Sequence, residues 1–195
     1  MTRLVLASGS ASRRAILEKA GVPFSIDPAD IDEADFKAAF KGSPGALALA
    51  LAEAKAAVVS ARQPDALVLG ADQVLDFEGR AYDKALDVAE ARERLAMLAG
   101  QTHYLRGGIV IMRGGETVWR HQSACKMVMR PVSDIFLDHY VAHAGDILTK
   151  GVGAYAFEGL GAQLFEAVEG DFFAVLGLPL LPVLGVLREH GVLAT

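Results

Sequence analysis

The first 17 residues constrain the fold of this chain more than any other segment. Residues 4–6, Leu-Val-Leu, form an apolar run typical of a short buried strand, and a serine-rich turn follows it. From Arg13 onward, apolar residues recur at helical spacing until Gly21, a residue type that commonly ends helices. The segment therefore predicts a strand that leads through a tight polar turn into a helix.

The polar turn has the chemistry of a phosphate-binding site. Ser8, Ser10 and Ser12 supply N-cap side chains, and the free backbone N–H groups at a helix N-terminus attract anions. Arg13 follows directly, and a guanidinium group binds phosphate through two parallel hydrogen bonds. We interpret the turn as a substrate-binding element for a phosphorylated ligand. A well-capped surface helix with solvated arginines is the alternative.

The composition limits the classes to which the chain can belong. Its 195 residues, 52% of them hydrophobic, suit a single domain spanning residues 1–195. A net charge of −5 argues against nucleic-acid binding, which requires a basic surface. Cys125 is the only cysteine, which indicates a reducing compartment. We recognise no signal peptide and no apolar run of membrane-spanning length, so we predict a cytoplasmic protein without membrane contact; a homodimer is left open.

Predicted strands and helices alternate along the chain. Ser43-Pro44 begins a helix, because serine is a good N-cap and proline suits the first helical position. Residues 103–113 and 116–129 alternate in polarity around Gly114-Gly115, which predicts a β-hairpin. The other predicted elements are a strand at 66–75, helices at 44–62, 87–100, 133–145 and 179–190, and a glycine-rich, β-like stretch at 151–177. Together they predict an α/β chain with a mixed sheet.

Two carboxylates and two lysines are candidates for chemistry. Asp72 lies inside the predicted strand, where a buried carboxylate is costly unless it binds a cation or accepts hydrogen bonds. Glu33 lies in an acidic loop, and Lys55 and Lys84 lie elsewhere in the chain. Considered one at a time, these residues have simpler interpretations. Asp72 would end its strand and accept hydrogen bonds from the local backbone, and Glu33, Lys55 and Lys84 would be solvated surface residues. Together with the phosphate-binding turn, they predict metal-assisted cleavage of a phosphate anhydride, with Glu33 and Asp72 as candidate ligands for Mg²⁺ or Mn²⁺.

Short motifs follow one another along the chain in a recognisable order. They are Ala-Ser-Gly-Ser-Ala-Ser-Arg-Arg at 7–14, Asp-Glu at 32–33, Ala-Lys-Ala at 54–56, Gly-Ala-Asp-Gln-Val at 70–74, Asp-Lys at 83–84, Leu-Ala-Gly-Gln-Thr-His at 98–103, Gly-Ala-Tyr at 153–155, Glu-Gly-Leu-Gly at 158–161 and Gly-Leu-Pro-Leu at 177–180. In this order they resemble the Maf proteins, nucleoside triphosphate pyrophosphatases that are also described as septum-formation inhibitors. The resemblance covers residues 4–188, nearly the whole chain.

The resemblance implies both a fold and an activity. The fold is an elongated, mixed, twisted sheet with flanking helices and two lobes around a deep nucleotide-binding cleft, similar to inosine triphosphatase. The activity is hydrolysis of a nucleoside triphosphate to the monophosphate and pyrophosphate with a divalent cation. By resemblance Asp72 is the general base, and Arg13, Glu33, Lys55 and Lys84 are further polar site residues. Which carboxylate is the base and which the metal ligand is left open.

The resemblance also suggests a nucleobase. Gln73 and Glu158 are the residue types of the 7-methyl-GTP branch, and a carboxylate can accept hydrogen bonds from the guanine edge. Ser12 lacks the aromatic ring expected in that branch, and we predict that Phe172 and Phe173 have a packing role rather than form a cofactor-binding motif. A pyrophosphatase that prefers dTTP or UTP, a nucleotidyltransferase, and a nucleotide-binding regulator of cell division without strong catalysis are the alternatives.

Overall fold

The computed structural model describes residues 2–195 as a seven-stranded sheet flanked by helices. The strands are β1 (Leu4–Leu6), β2 (Ser25–Ile26), β3 (Leu67–Phe77), β4 (Arg80–Tyr82), β5 (Thr102–Arg113), β6 (Glu116–Met129) and β7 (Phe165–Glu169). The α-helices are α1 (Ala11–Lys19), α2 (Glu33–Ala39), α3 (Pro44–Arg62), α4 (Val88–Leu98), α5 (Asp134–Ala144), α6 (Ile147–Lys150), α7 (Phe172–Val175) and α8 (Leu180–Glu189), and a 3₁₀-helix covers Leu160–Leu164. The predicted α/β class with a mixed sheet is confirmed.

The sheet has the strand order β2-β1-β3-β5-β6-β7, and β4 also pairs with β3. The first part is parallel, because β1 runs in the same direction as both β2 and β3. The rest is antiparallel, from β3 through β5 and β6 to β7. The strand β3 is therefore the point at which the two halves of the sheet meet.

One edge of β3 is left open in its middle. The short strand β1 pairs with β3 only as far as Leu69, where Leu6 is the partner. The strand β4 begins to pair with the same β3 at Leu75. Among the described residues, no strand pairs with this edge of β3 from residue 70 to residue 74, although the opposite edge is paired with β5 throughout. The gap gives a ligand access to the middle of the sheet, and Asp72 lies at its centre.

Helices cover both faces of the sheet. The long helix α3 packs against β3 and β5 through small residues such as Ala52 and Ala56. On the opposite face, Leu17 of α1 and Leu187 of α8 share one apolar cluster with β1, β3 and β5. A separate apolar cluster under α4 and α5 includes Tyr140 and the far ends of β3, β5 and β6. The apolar core therefore lies on both faces of the sheet at β1, β3 and β5, and continues under α4 and α5.

The helix α3 approaches the sheet closely because glycine faces it twice. A Cβ atom at Gly70 would overlap the backbone oxygen of Ala52, and a Cβ atom at Gly108 would overlap the backbone of Ala48. Over residues 2–195, α3 is also the one helix long and apolar enough to cross a membrane by length and composition, with a mean hydropathy of 1.3. The prediction that no apolar run reaches that length was wrong on this measure. The helix lies in the core, and core helices meet the same criterion.

Predicted and observed elements agree best where local signals were strong. Helix α3 and the hairpin of β5 and β6 have the predicted bounds to within a residue. The β-like interpretation of residues 151–177 was wrong, because most of this stretch forms turns and short helices and only Phe165–Glu169 is a strand. The interpretation of Glu33 as part of an acidic loop was also wrong, because it begins α2.

Candidate active site

The serine-rich turn has the predicted geometry at the end of β1. Ser10 is the N-cap of α1, and its hydroxyl accepts a hydrogen bond from the backbone N–H of Arg13. Its hydroxyl also lies 3.0 Å from that of Ser12, and its backbone N–H donates to the hydroxyl of Ser8. The turn therefore places three hydroxyl groups and the N-terminus of a helix side by side, which suits an anion.

Arg13 is buried below this turn and does not lie in open solvent. Its Nε donates to the carbonyl oxygen of Gly177 at 2.9 Å, and its Nη1 donates to the hydroxyl of Ser8 at 3.0 Å. Burial lowers the pKa of Arg13, and the carboxylates of Asp72 and Glu33 oppose that shift. An arginine stays protonated in proteins, so the side chain supplies a fixed positive charge whose position is set by two hydrogen bonds.

Asp72 is held in the middle of β3 by Lys55 of α3. The carboxylate is only 8% exposed, and its Oδ1 lies 2.6 Å from the Nζ of Lys55. The same Nζ lies 2.6 Å from the Oε1 of Glu33 on α2. The cation that the sequence argument required for a carboxylate in a buried strand is therefore Lys55, and it joins both predicted carboxylates.

Two further residues, to which the sequence argument gave no role in the site, extend this arrangement. Lys37 lies one helical turn after Glu33, and its Nζ is 2.9 Å from the Oε2 of that glutamate. The same Nζ is 2.7 Å from the Oδ1 of Asp83, which precedes the predicted site residue Lys84. We call the alternating series Asp72–Lys55–Glu33–Lys37–Asp83 the charge chain. It connects α2, α3, β3 and the segment after β4.

The neighbouring lysines of the charge chain shift the pKa of Glu33 strongly. Burial alone would raise the pKa of Glu33, but hydrogen bonds from Lys55 and Lys37 outweigh burial and lower this pKa to about 2. For Lys37, burial is opposed by hydrogen bonds to Asp83 and Glu33, and the net result is a raised pKa. Glu33 is therefore ionised and Lys37 protonated at neutral pH.

A cleft of about 530 Å³ collects nearly all of the predicted site residues. The predicted residues that line it are Ser8, Ser10, Ser12, Arg13, Glu33, Lys55, Asp72, Gln73 and Lys84. Lys37, Asp83 and Lys150 also line it, and sequence reasoning missed them. Five cationic side chains face three carboxylates there, a net of two positive charges. The cleft is therefore suited to a polyanionic ligand.

Comparisons with known proteins identify the family of the chain. A family model described as a Maf-like protein matches residues 3–190. The chain belongs to this family. A protein of Maricaulis maris named "Nucleoside triphosphate pyrophosphatase" is 52% identical over 194 residues, covering 99% of both chains. A protein of Rhizobium meliloti named "7-methyl-GTP pyrophosphatase" is 47% identical over 191 residues, covering 96% of both chains. A solved structure of a HAM1 protein from Coxiella burnetii is a distant likeness, with a TM-score of 0.40 and 16% identity over 66% of this chain and 73% of that one.

Membership of the Maf-like family confirms the resemblance found in the sequence.

One predicted site residue, Glu158, lies outside the cleft. Glu158 lines an adjoining pocket of about 100 Å³, which shares Ser12 and Gln73 with the cleft. Gln73 uses its side-chain amide to donate to the backbone oxygen of Ala174 at 2.9 Å. Tyr155 lies in the wall of this pocket. The structure thus places Glu158 beside the cleft and not among the residues that line it.

A buried pair lies behind this small pocket. The Nε2 of His103 is 2.7 Å from the hydroxyl of Tyr155, and the Nδ1 of His103 is buried without a hydrogen-bond partner among the described residues. Burial lowers the pKa of His103 to about 4 and raises the pKa of Tyr155. Both groups are therefore neutral at pH 7. Tyr155 lines the pocket, and His103 supports its hydroxyl group from behind.

Proposed function

We propose that this protein hydrolyses a nucleoside triphosphate to the nucleoside monophosphate and pyrophosphate. The observation that carries the proposal is the buried carboxylate of Asp72, held by Lys55 in a positively charged cleft beside a phosphate-binding turn. The printed names of the relatives from Maricaulis maris and Rhizobium meliloti support the same reaction class. Nucleotide binding without turnover would need no carboxylate at this costly position.

The first task of the site is to neutralise the triphosphate. Arg13 and the N-terminus of α1 bind phosphate oxygens at one end of the cleft, while Lys55 and Lys84 face them from the other elements. Fixed positive charges in a partly buried site cost no reorganisation when negative charge moves onto the leaving group. Arg13 is the best fixed of these groups, because Ser8 and Gly177 hold it in one orientation.

The chemical step is an attack of water on the α-phosphorus. Asp72 orients the water and accepts its proton, the new bond forms between the water oxygen and the α-phosphorus, and the bond from that phosphorus to the bridging oxygen breaks. Pyrophosphate leaves with the electron pair of that bond, and the proton returns to solvent from Asp72. The second carboxylate, Glu33, is held by Lys55 and Lys37 and stays ionised throughout.

The carboxylates also fit a divalent cation, which we propose as Mg²⁺ or Mn²⁺. The described residues contain no group of three or more His, Cys, Asp or Glu side chains that could hold a metal ion. Glu33 and Asp72 nevertheless converge on one cation, the ammonium group of Lys55, and Mg²⁺ is commonly bound by one or two carboxylates together with substrate phosphates. When bound, such an ion would lower the pKa of a bound water and neutralise phosphate charge.

We further propose that the preferred base is 7-methylguanine. Glu158 lies beside the cleft, where its carboxylate can accept from the N1–H and N2–H groups of a guanine edge. A uracil or thymine edge presents one N–H between two carbonyl groups, which a carboxylate repels. The positive charge of the methylated base favours Glu158 further. The relative from Rhizobium meliloti is named for this substrate, whereas that from Maricaulis maris carries the general name.

A panel of nucleoside triphosphates with Mg²⁺ or Mn²⁺, read by pyrophosphate release, tests both proposals. Asp72→Asn should retain binding and lose turnover by about 10²- to 10⁴-fold, because an amide cannot act as the base. Asp76→Asn is the matched control, since Asp76 is equally buried in β3 but pairs with Arg106 outside the cleft. Equal losses in both variants would contradict the assignment of Asp72.

The same panel tests the base through Glu158→Gln. We expect kcat/KM for 7-methyl-GTP to fall by about 10- to 150-fold, which corresponds to the free energy of a hydrogen bond to a charged group. The kcat/KM for UTP should fall far less. A uniform loss over all nucleotides would show that Glu158 does not contact the base. A wild-type preference for UTP or dTTP would contradict the base assignment and leave the reaction class standing.

A further inference from the structure

A second pocket beside Glu158 is formed by apolar and aromatic side chains. It has a volume of about 430 Å³ and lies between α1 and the segment that contains α7. Ala15 and Ile16 form one wall, and Phe172 and Phe173 form the other. Phe172 packs against Phe157 and Phe173 as predicted, but 49% of it is exposed. An exposed aromatic ring in the wall of a concave pocket is available to a ligand.

This aromatic pocket is continuous with the cleft. Ser12 and Leu176 line the cleft, the small pocket of Tyr155 and the aromatic pocket, so the three spaces meet at these two residues. Glu158 lines both the small and the aromatic pocket. A nucleotide with its phosphates at the N-terminus of α1 can therefore direct its base into either space, past the same carboxylate.

Size and chemistry distinguish the two spaces. The small pocket has a volume of about 100 Å³, whereas ligand pockets usually measure about 300 to 1,000 Å³. The aromatic pocket lies within that range. Its aromatic rings offer flat faces to a base, and aromatic faces attract a cationic, methylated ring. Lys19, at the outer edge of this pocket, is exposed, so its charge is solvated.

We propose that the nucleobase of the substrate binds in the aromatic pocket, stacked on the exposed ring of Phe172. The ring of Phe173 is inclined at 73° to that of Phe172, so Phe173 and Glu158 meet the edges of the base. This inference rests on the proposed function, since it assumes that the cleft holds a triphosphate. It supplies the aromatic platform that was expected at position 12 and is absent there. It also removes Gln73 from the base contacts, because Gln73 lines only the cleft and the small pocket.

The test compares Phe172→Ala with Leu181→Ala. Leu181 is the matched control, because it is an apolar side chain in the first turn of α8 that is 65% exposed and does not line the pocket. Calorimetry with 7-methyl-GMP measures the binding of the base without turnover. Loss of one stacking ring should weaken this binding by about 5- to 150-fold in Phe172→Ala and by less than about twofold in Leu181→Ala.

A second variant fills the pocket without touching an aromatic residue. Ala15→Trp should weaken 7-methyl-GMP binding and raise KM for every nucleotide, while tripolyphosphate, which has no base, should inhibit this variant and the wild type equally. Circular dichroism and thermal melting of each variant verify that the fold is retained. Unchanged binding of 7-methyl-GMP in both Phe172→Ala and Ala15→Trp would overturn the inference. Absence of pyrophosphate release from every nucleotide by the wild type would instead overturn the proposed function.

Discussion

The close contact between α3 and the sheet at Gly70 can be tested by adding one methyl group. Alanine at this position would place its Cβ against the backbone oxygen of Ala52 and within 2.8 Å of the side chain of Ala56. A backbone atom inside a 19-residue helix cannot move alone, so the whole helix must shift away from β3. Overpacking of this kind costs about 1–3 kcal/mol in free energy of unfolding.

The same shift should reduce activity. Gly70 and Asp72 are two residues apart and so project from the same face of β3, towards α3. Lys55 lies between Ala52 and Ala56 on α3 and contacts Asp72 at 2.6 Å. Movement of the helix therefore lengthens the ion pair in the active site. We expect kcat to fall in Gly70→Ala even at temperatures where the protein is fully folded.

Urea denaturation and thermal melting measure the stability, and pyrophosphate release measures the activity. For a chain of this size, the expected loss lowers Tm by about 2–4 °C per kcal/mol. Gly185→Ala is the matched control, because a Cβ atom at Gly185 meets nothing within 4 Å and the residue lies inside α8. That control should gain about 0.5–1 kcal/mol from helix propensity. If Gly70→Ala matches the wild type in both stability and kcat, the close packing does not position Lys55.

Two further predictions concern a buried histidine and the charge chain. The pKa of His103 is about 4 in the folded protein and about 6.5 in the unfolded chain. Between these pH values the unfolded state binds more protons than the folded state. The free energy of unfolding should therefore fall as the pH drops from 7 to 5. Urea titrations should show a shallower fall in His103→Gln and an unchanged one in the exposed control His139→Gln. Lys37→Met removes one of the two cations that hold Glu33, so kcat should fall by about 3- to 10-fold. Lys37→Arg should restore part of this loss. Lys126→Met breaks the exposed ion pair between Lys126 and Glu169, so it should leave kcat unchanged.

The parts of the fold that the sequence predicted correctly depend on neighbours in the chain. Ser43-Pro44 is a local start signal, and Gly114-Gly115 is a local turn signal, so α3 and the hairpin could be placed to within a residue. The same holds for the geometry of the serine-rich turn, since Ser10 caps α1 within its own segment. Residues 151–177 were misinterpreted because their glycines allow turns and strands equally.

The site residues that sequence reasoning missed depend on contacts between distant segments. Lys37 had a local signal, because Glu33 and Lys37 have the i,i+4 spacing of a helical ion pair and Asp32 caps the helix. The contact of Lys37 with Asp83, 46 residues away, had no local signal in the sequence. The burial of Arg13 depends on the carbonyl group of Gly177, 164 residues away, so the turn alone could not exclude a solvated arginine.

The position of the cleft follows from the unequal lengths of neighbouring strands. The strand β1 has 3 residues and β3 has 11, so β3 continues beyond the end of its parallel neighbour. The chain leaves β1 through the serine turn, which places the N-terminus of α1 beside the exposed edge of β3. A carboxylate on β3 is therefore both buried by α3 and accessible from that edge. The proposed general base must be desolvated and still reach water, and Asp72 occupies the one stretch of β3 that provides both conditions.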